Sequence, residues 1–475
     1  MRVSGIQNYY SVKKNNSNNF SDKSFKAASS ENTEIKGING ERLKIRDEKG
    51  LISVENISDP KVGSKFLISF NDPKYKGFKI LFTPNTVFKS EENGLELNII
   101  KDNQSFKGKV YGSIRKNDDG TCDERMKDAY KNFWRQGMYN EIKTNYIDKD
   151  STSAIKNDYN FYIPSDGDGT RYRDITKLQG GVTKPASLIP ATLNGQNMAL
   201  VQVVLSNFTQ TNKLDEGVGF IEVKPAQGSA YAFLEGLKNG TISTDKPLVF
   251  SWGDNFSDIN VTKLILEHEK KNSGFTILSL LTDKAQIQSL GALKVNSIED
   301  MAVSDFKEKP SRIEADEYSI PQMEDFCLGS VGPFVISKEV LKWIKDKYIE
   351  NPASFRNPKD NAYDFSSMII TPLVQVLNNG EIKDEHGNEL KLRAKLLPGN
   401  NTWSDLGSEK DFSLNMKMVR KGHFSNFPKE MRYSISKNVD DKSNITFDEK
   451  SKKMLEEVKN EYGLEIENSI SYFNF

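Results

Sequence analysis

From residue 155 onward, short unbroken apolar runs alternate with segments of helical periodicity. Residues 159–164, 247–252 and 275–281 have the pattern of strands, and Val261 and Leu264 begin an apolar helical stripe between the last two. Strands that lack polar alternation are typical of a mostly parallel sheet covered by helices on both faces. The sequence therefore predicts an α/β fold with a mixed, mostly parallel sheet, whose ligands bind beyond the carboxyl ends of the strands.

The segments around this α/β region have a different composition. Residues 1–35 are rich in Asn, Ser and Lys and poor in apolar side chains, which predicts disorder. Short β-type runs separated by turn residues predict a small β-rich domain over 36–150, ending in a helix with an apolar stripe. The α/β domain is expected over 156–422. The tail 423–475 includes one amphipathic stretch, with Met454, Leu455 and Val458 at helical spacing, which is expected to dock on that domain.

The bulk composition excludes several classes of function. The chain has 66 basic and 66 acidic residues among 475, so no basic excess predicts a nucleic-acid or acidic-membrane partner. Cys122 and Cys327 are too few for a disulfide framework. The N-terminus lacks an apolar signal region, and no apolar run approaches the roughly 20 residues of a membrane helix. We therefore expect a cytoplasmic protein, and the composition is compatible with a homo-oligomer.

A glycine-rich turn follows the first predicted strand. Gly167 and Gly169 allow backbone N–H groups to approach phosphate oxygens, as such turns do in many nucleotide sites. Arg171 and Lys184 add a forked donor and a point cation to the same region, which suits a triphosphate better than a purely structural turn.

This region resembles the signature of the sugar-1-phosphate nucleotidyltransferases, Gly-Gly-x-Gly-Thr-Arg-Leu followed by Lys-Pro. The matching segments, in chain order, are residues 166–172, 184–185, 227–230, 253–254, 306–310, 364–370 and 403–408. Six landmarks in the family's order, with the signature counted as the first, make a chance match improbable. Within the family, residues 184–186 and 205–207 look most like glucose-1-phosphate adenylyltransferase. The resemblance implies a Rossmann-like nucleotidyltransferase domain that makes a nucleotide sugar and pyrophosphate from a nucleoside triphosphate and a sugar-1-phosphate.

The resemblance also implies roles for individual residues. The residues that act on the triphosphate would be Arg171 and Lys184. The nucleotide-binding residues would be Gly167, Gly169, Thr170, Gly228 and Ser229. The sugar-phosphate-binding residues would be Glu308, Lys309 and Gly329. The cofactor would be Mg²⁺, with Asp254 and Asp405 as ligands, since hard carboxylate oxygens suit a phosphate-bridging magnesium ion.

Several features depart from the family pattern or allow other readings. Asp166 replaces the first glycine, Asp168 adds a second carboxylate, and the run to Lys184 is longer than usual. Two acids would repel a triphosphate unless they point away from it or help to hold metal. One alternative is therefore a catalytically impaired sensor of nucleotide or sugar phosphate, and another is a glycosyltransferase of similar architecture. His268 lies on an apolar stripe and is expected to be a core residue.

Overall fold

The computed structural model describes two compact units, formed by residues 1–101 with 398–402 and by residues 102–397 with 403–475. The residues whose structure is described are seven strands between 33 and 95, and 107–135, 154–167, 169–178, 183–193, 195–209, 213–224, 227–321, 323–397 and 402–439. Most of the segment expected to be disordered, and residues 440–475 of the tail, lie outside the described residues.

The first unit contains antiparallel strands. Its strands are β1 (Thr33–Lys36), β2 (Arg42–Glu48), β3 (Leu51–Asn56), β4 (Phe66–Ser69), β5 (Lys79–Phe82), β6 (Val87–Glu91) and β7 (Gly94–Leu95). Five of them pair in the order β1-β2-β3-β6-β7, and β4 pairs with β5. All of these pairings are antiparallel.

The second unit alternates strands and helices, as the apolar pattern predicts. Its strands are β8 (Lys107–Arg115), β9 (Asn160–Ile163), β10 (Leu188–Leu193), β11 (Gln196–Ala199), β12 (Lys213–Val223), β13 (Leu248–Phe250), β14 (Asn255–Ser257), β15 (Ser273–Asp283), β16 (Gly291–Val295), β17 (Val303–Glu308), β18 (Ser319–Ile320), β19 (Met323–Ile336), β20 (Lys391–Leu396) and β21 (Trp403–Asp405). Its helices are α1 (Glu124–Arg135), α2 (Arg173–Leu178), α3 (Leu200–Thr209), α4 (Tyr231–Lys238), α5 (Val261–Lys270), α6 (Lys338–Glu350), α7 (Thr371–Asn378), α8 (Glu409–Arg420) and α9 (Lys429–Asn438).

The central sheet is mixed and mostly parallel, which confirms the predicted fold class. Its strands follow the order β12-β8-β9-β13-β19-β15-β20, and β16, β17 and β18 extend it beside β19. Along this order, neighbouring strands are parallel except that β19 runs antiparallel to both β13 and β15. The pairings of β16 with β17 and β19, and of β18 with β19, are antiparallel. The carboxyl ends of β9 and β13 therefore lie side by side at one edge of the sheet.

Three of the helices that pack on the sheet have an Asn or Ser side chain as their N-cap. The side chain of Asn260 accepts a hydrogen bond from the backbone at the start of α5, and Ser337 and Ser408 do the same for α6 and α8. Each cap satisfies a backbone N–H that has no partner within the helix. These residues fix where the helices begin.

Two apolar layers cover the sheet. Phe161 and Ile163 of β9 face one buried cluster, with α1, α3, α5, α8 and α9, whereas Tyr162 faces the other, with α4, α6 and α7. His268 of α5 is buried and shares a 2.8 Å hydrogen bond between Nδ1 and Thr276 Oγ1. Burial lowers the pKa of His268 to about 3, which confirms it as a neutral core residue.

The start of the C-terminal tail packs on the α/β body. Met431 and Ile435 of α9 are buried, and the backbone N–H of Thr192 donates to Ser434 Oγ at 2.8 Å. Glu430 Oε1 accepts from the backbone of Gly195 at 3.0 Å. In the described part of the chain, no helix has the length and apolar character needed to span a bilayer.

Strand β8 and helix α1 belong to the α/β body, although the sequence places them before the boundary expected at residue 150. β8 lies between β9 and β12 and pairs with both in parallel. Its Val110 and Ile114 are fully buried, as are Tyr130 and Phe133 of α1. The apolar pattern of a strand does not show which sheet the strand joins. The sequence therefore grouped β8 with the strands that precede it. The α/β body thus begins well before residue 156.

We predict that a truncated chain starting at residue 102 keeps a cooperative thermal unfolding transition, whereas one starting at 154 does not. The shorter chain lacks β8 and α1, so it exposes the edges of β9 and β12 and the apolar surface under α1. Thermal melts followed by circular dichroism, with light scattering for aggregation, would check this. A soluble, cooperatively folded chain from residue 154 would contradict the assigned place of β8.

Candidate active site

The candidate active site lies where β9 and β13 end side by side. The chain leaves β9 through Pro164 and leaves β13 through Gly253. A Cβ on Gly253 would lie 2.8 Å from the carbonyl oxygen of Pro164, so a larger residue would force the two turns apart. This close approach brings Asp254 next to the glycine-rich turn that follows β9.

Lys184 and Asp254 form an ion pair across the two turns. Lys184 Nζ lies 2.6 Å from Asp254 Oδ2, and the side chains are 7% and 32% exposed. The ammonium also lies 5.5 Å from the centre of the Tyr172 ring, within the range of a cation–π contact. Gly169 has a φ of 55°, and a Cβ there would lie 2.9 Å from Lys184 Cβ. Glycine is therefore required at 169 by both its backbone and its neighbour.

Asp405 and Arg171 complete a group of four charged side chains. β14 and β21 pair so that Asn255 faces Asp405, and the backbone of Leu406 donates to Asp254 O at 3.0 Å. A Cβ on Gly407 would lie 2.7 Å from Asp405 Oδ2 and 3.3 Å from Arg171 Nη2. Two carboxylates and two cations therefore meet at the ends of β9, β13 and β21, although they come from widely separated parts of the sequence.

Asp166 points away from this group. Its Oδ1 accepts a 2.8 Å hydrogen bond from Ser113 Oγ on β8, and its carbonyl oxygen accepts one of 3.0 Å from Arg115 Nη2. Gly167 is exposed, and a Cβ there would meet nothing within 4 Å. The Asp166 carboxylate is therefore hydrogen-bonded on the β8 side of the turn. Asp168 lies outside the described residues.

The predicted base-facing residues lie against residues 363–365. Gly228 has a φ of 99°, and a Cβ there would lie 2.4 Å from the carbonyl oxygen of Tyr363. Ser229 Oγ accepts a 3.0 Å hydrogen bond from the backbone of Phe365. Glycine is thus required at 228 by the close approach of another chain segment, which sequence reasoning did not anticipate.

The predicted sugar-phosphate residues form a second group around Leu290. The backbone of Lys309, with a φ of 47°, donates to Leu290 O at 3.0 Å, and a Cβ on Gly329 would lie 2.7 Å from Leu290 Cδ1. Lys309 Nζ lies 3.6 Å from Glu308 Oε1, and the lysine side chain is 64% exposed. Burial raises the pKa of Glu308, Lys309 lowers it, and the nearby Asp364 raises it further.

An aromatic contact connects the groups. The ring centroids of Trp252 and Phe365 lie 5.7 Å apart, edge to face. Trp252 precedes the Gly253–Asp254 turn, whereas Phe365 follows Asp364, which lies close to Glu308. Residues 363–365 thus link the base-facing turn, the sugar-phosphate group and the charged group.

Comparison with known families identifies this architecture. Residues 195–421 match the family model of nucleotidyl transferases. The match covers a little under half of the chain, and the central sheet has the α/β nucleotidyltransferase fold. The matched range contains Asp254, Asp405, Glu308 and Lys309, whereas the loop with Arg171 and Lys184 precedes it. No curated protein matches the chain significantly.

The charged group contains two carboxylates that repel each other. Burial and the neighbouring Asp254 carboxylate raise the pKa of Asp405 to about 7, whereas Lys184 and Arg171 act in the opposite direction. A carboxyl pair of this kind favours a bound cation, since a positive ion offsets both the desolvation and the repulsion. The strand pairing of β14 with β21 holds the two groups together regardless of this repulsion.

The carboxyl pair fits a magnesium ion. Mg²⁺ takes oxygen ligands and usually binds one or two carboxylates, completing its shell with water and substrate phosphates. The described residues contain no group of three or more acidic, histidine or cysteine side chains arranged for a metal. Asp254 and Asp405 supply two carboxylates of the kind that Mg²⁺ binds.

Two residues of this site gave no signal in the sequence. Ser113 and Tyr130 come from β8 and α1, and they contact residues 165–166 although no motif marks them. Phe365 lay within a recognised landmark, but the landmark gave it no structural role. Pairing between distant segments, rather than local pattern, creates these contacts.

We predict that Asp405→Asn stabilises the metal-free protein at high pH. Because the pKa of Asp405 is raised from its usual value near 4 to about 7, the folded state binds this proton more tightly than the unfolded state. Stability is therefore lost as pH rises from about 4 through about 7, and an uncharged side chain avoids that loss.

Thermal melts in chelator at pH 4.5 and pH 8 would measure this effect. The melting temperature of the variant should exceed that of the wild type by about 2–4 °C at pH 8 and by less at pH 4.5. Asp346→Asn, on the exposed side of α6, provides the control. A gain that is equal at the two pH values would contradict the assigned titration of Asp405.

Proposed function

We propose that the chain transfers a nucleotidyl group from a nucleoside triphosphate to a sugar-1-phosphate, releasing pyrophosphate. ATP and glucose-1-phosphate are the pair that the sequence resemblance favours. The observation that carries the proposal is the meeting of Arg171, Lys184, Asp254 and Asp405 at adjoining strand ends. Two cations beside a carboxylate pair suit a polyphosphate bound with a divalent metal ion.

In the proposed reaction, an oxygen of the sugar-1-phosphate attacks the α-phosphorus of the triphosphate. A new P–O bond forms as the bond to the bridging oxygen of the β-phosphate breaks, and the electron pair leaves with pyrophosphate. Such transfers depend on positioning and on charge neutralisation rather than on a covalent catalyst. Asp254 and Asp405 would hold Mg²⁺, which supplies charge neutralisation on the phosphates when bound.

Lys184 and Arg171 would stabilise the charge of the triphosphate and of the departing pyrophosphate. An ammonium has three donors, so Lys184 can keep its bond to Asp254 while it donates to a phosphate oxygen. Arg171 is exposed in the turn Thr170–Tyr172, and its guanidinium lies beside Asp405 and Gly407. The pair would act as fixed electrostatic stabilisation, which needs little rearrangement during the reaction.

The remaining predicted residues would orient the two substrates. Gly167, Gly169 and Thr170 would bring backbone groups to the phosphates, while Gly228 and Ser229 would face the base. Lys309 would bind the sugar phosphate and Glu308 would accept hydrogen bonds from sugar hydroxyls, with Gly329 leaving space beside them. The exposed ammonium of Lys309 supports this role, since a phosphate can reach it.

The contacts of Asp166 argue against the glycosyltransferase alternative. An Asp-x-Asp metal site at 166–168 would need the Asp166 carboxylate, but Ser113 Oγ donates to it on the side of β8. The carboxyl pair beside β13 instead involves two cations, which suits nucleotidyl transfer.

A pyrophosphate-release screen would test the proposal. The common nucleoside triphosphates would be crossed with glucose-, mannose- and N-acetylglucosamine-1-phosphate in the presence of Mg²⁺. We expect release that needs both substrates and the metal. Binding of triphosphate without turnover for every pair would favour the sensor alternative instead.

We predict that Lys184→Ala and Asp254→Asn each lower kcat/KM by about 100- to 1,000-fold. Each variant removes a charge that would contact the triphosphate or its metal. The fold should survive, because the partner left behind is either 32% exposed, as Asp254 is, or still has an amide oxygen to bind. Pyrophosphate release and thermal melts would measure both effects.

Lys342→Ala, an exposed lysine of α6, provides the matched control and should keep wild-type kinetics. Folded Lys184→Ala or Asp254→Asn protein with undiminished turnover would exclude this charged group from the reaction.

We also predict that Lys309→Ala raises KM for the sugar-1-phosphate by about tenfold without changing KM for the triphosphate. A phosphate contact to a lysine contributes about this much when the site is partly exposed. Initial rates with each substrate varied in turn would separate the two constants. A rise in KM for the triphosphate alone would show that Lys309 binds the triphosphate, and it would contradict its assignment to the sugar-1-phosphate.

A further inference from the structure

Asp166, in the glycine-rich turn at 166–172, carries a charge that has to be kept away from a bound phosphate. A glycine at this position would carry no such charge. Asp166 stands where the sequence resemblance has glycine, and its carboxylate is attached to the turn that precedes Gly167. A carboxylate facing the bound phosphates would repel them at close range. The chain must therefore hold this side chain elsewhere if the loop is to receive a triphosphate.

Ser113 of β8 provides that restraint. It is fully buried, and its hydroxyl donates to Asp166 Oδ1 at 2.8 Å and accepts from the backbone N–H of Ser165 at 2.9 Å. One hydroxyl thus serves as both donor and acceptor to consecutive residues of the loop. This arrangement fixes the direction of the Asp166 side chain and the path of the chain as it leaves β9.

Neighbouring groups on β8 and α1 brace the same turn. Arg115 Nη2 donates to the carbonyl oxygen of Asp166 at 3.0 Å, and the hydroxyl of Tyr130 lies 2.5 Å from Ser165 Oγ. Gly112 leaves room for the tyrosine, because a Cβ there would lie 2.5 Å from Tyr130 Cζ. β8 and α1, which precede the matched range of the domain, therefore support the loop from beneath.

We propose that Ser113 is a positioning residue that keeps the Asp166 carboxylate away from the triphosphate. The proposal rests on the proposed function, since it concerns the triphosphate site of that reaction. Ser113 touches neither substrate; it acts through Asp166. Through Ser113, strand β8 would support the nucleotide site as well as form part of the sheet.

The proposal predicts a dependence between two substitutions. In Ser113→Ala the carboxylate loses the Ser113 hydroxyl as a donor and is held less firmly on the β8 side of the turn, so KM for the triphosphate rises about tenfold. In the Asp166→Asn background the repelling charge is gone, so adding Ser113→Ala changes KM by less than about twofold. A purely structural role for the serine would give the same loss in both backgrounds.

The test compares wild type, Ser113→Ala, Asp166→Asn and the double variant. KM and kcat would be measured with the triphosphate varied, and the dissociation constant of the Mg²⁺ complex of the same triphosphate by calorimetry. Ser279→Ala removes an equally buried serine from β15 and serves as the control. We expect the tenfold weakening only in Ser113→Ala, in both KM and the dissociation constant, with kcat within about threefold of wild type.

The outcomes separate this inference from the proposed function. Unchanged triphosphate affinity in Ser113→Ala, or equal weakening in both backgrounds, overturns the inference while leaving the proposed function intact. If the wild type binds triphosphate without turnover, the proposed function fails, and the four dissociation constants still decide the inference. If the wild type binds no triphosphate, the inference is overturned as well.

Discussion

The ion pair between Lys184 and Asp254 connects the two strand ends on which the site is built. The lysine side chain is almost fully buried, and a buried cation needs a partner because removal from water is costly. The loop after β9 closes against the end of β13, where Asp254 presents a carboxylate to the lysine. Gly169 and Gly253 permit this approach, since a side chain at either position would collide with the facing turn.

The second carboxylate, Asp405, makes the group of charges unfavourable when no cation is bound. Asp405 is held beside Asp254 by the pairing of β14 with β21, and burial and repulsion raise its pKa to about 7. Strand pairing contributes the free energy that keeps the two groups together. Repulsion between like charges is common where a protein binds a charged ligand. Such binding would explain why two carboxylates and two cations lie together at the end of a well-packed sheet.

Local pattern predicted much of this molecule from the sequence. The strands, their mixed, mostly parallel sheet and the helices follow from apolar periodicity. The order of the landmarks brought Asp254 and Asp405 into one hypothesis, and the structure places these two residues close together. Helix α3 begins at Leu200, because residues 196–199 pair with β10 instead. Boundaries of this kind depend on partners that the local pattern does not contain.

Non-local contacts account for what the sequence did not predict. β8 carries the same apolar pattern as the strands before it, so its place between β9 and β12 follows only from packing. The role of Ser113 depends in turn on that place, and the glycine at 228 depends on the approach of Tyr363. These features are invisible to residue spacing because each joins segments that lie tens of residues apart.

The central claim is that the four charged side chains form one site for a metal-bound triphosphate. It is tested most directly by locating Mn²⁺, as a substitute for Mg²⁺, from its anomalous scattering in crystals grown with a triphosphate. The account predicts one Mn²⁺ between the carboxylates of Asp254 and Asp405, with the triphosphate near Lys184 and Arg171. Manganese and triphosphate bound elsewhere, with no metal between these two carboxylates, would contradict it.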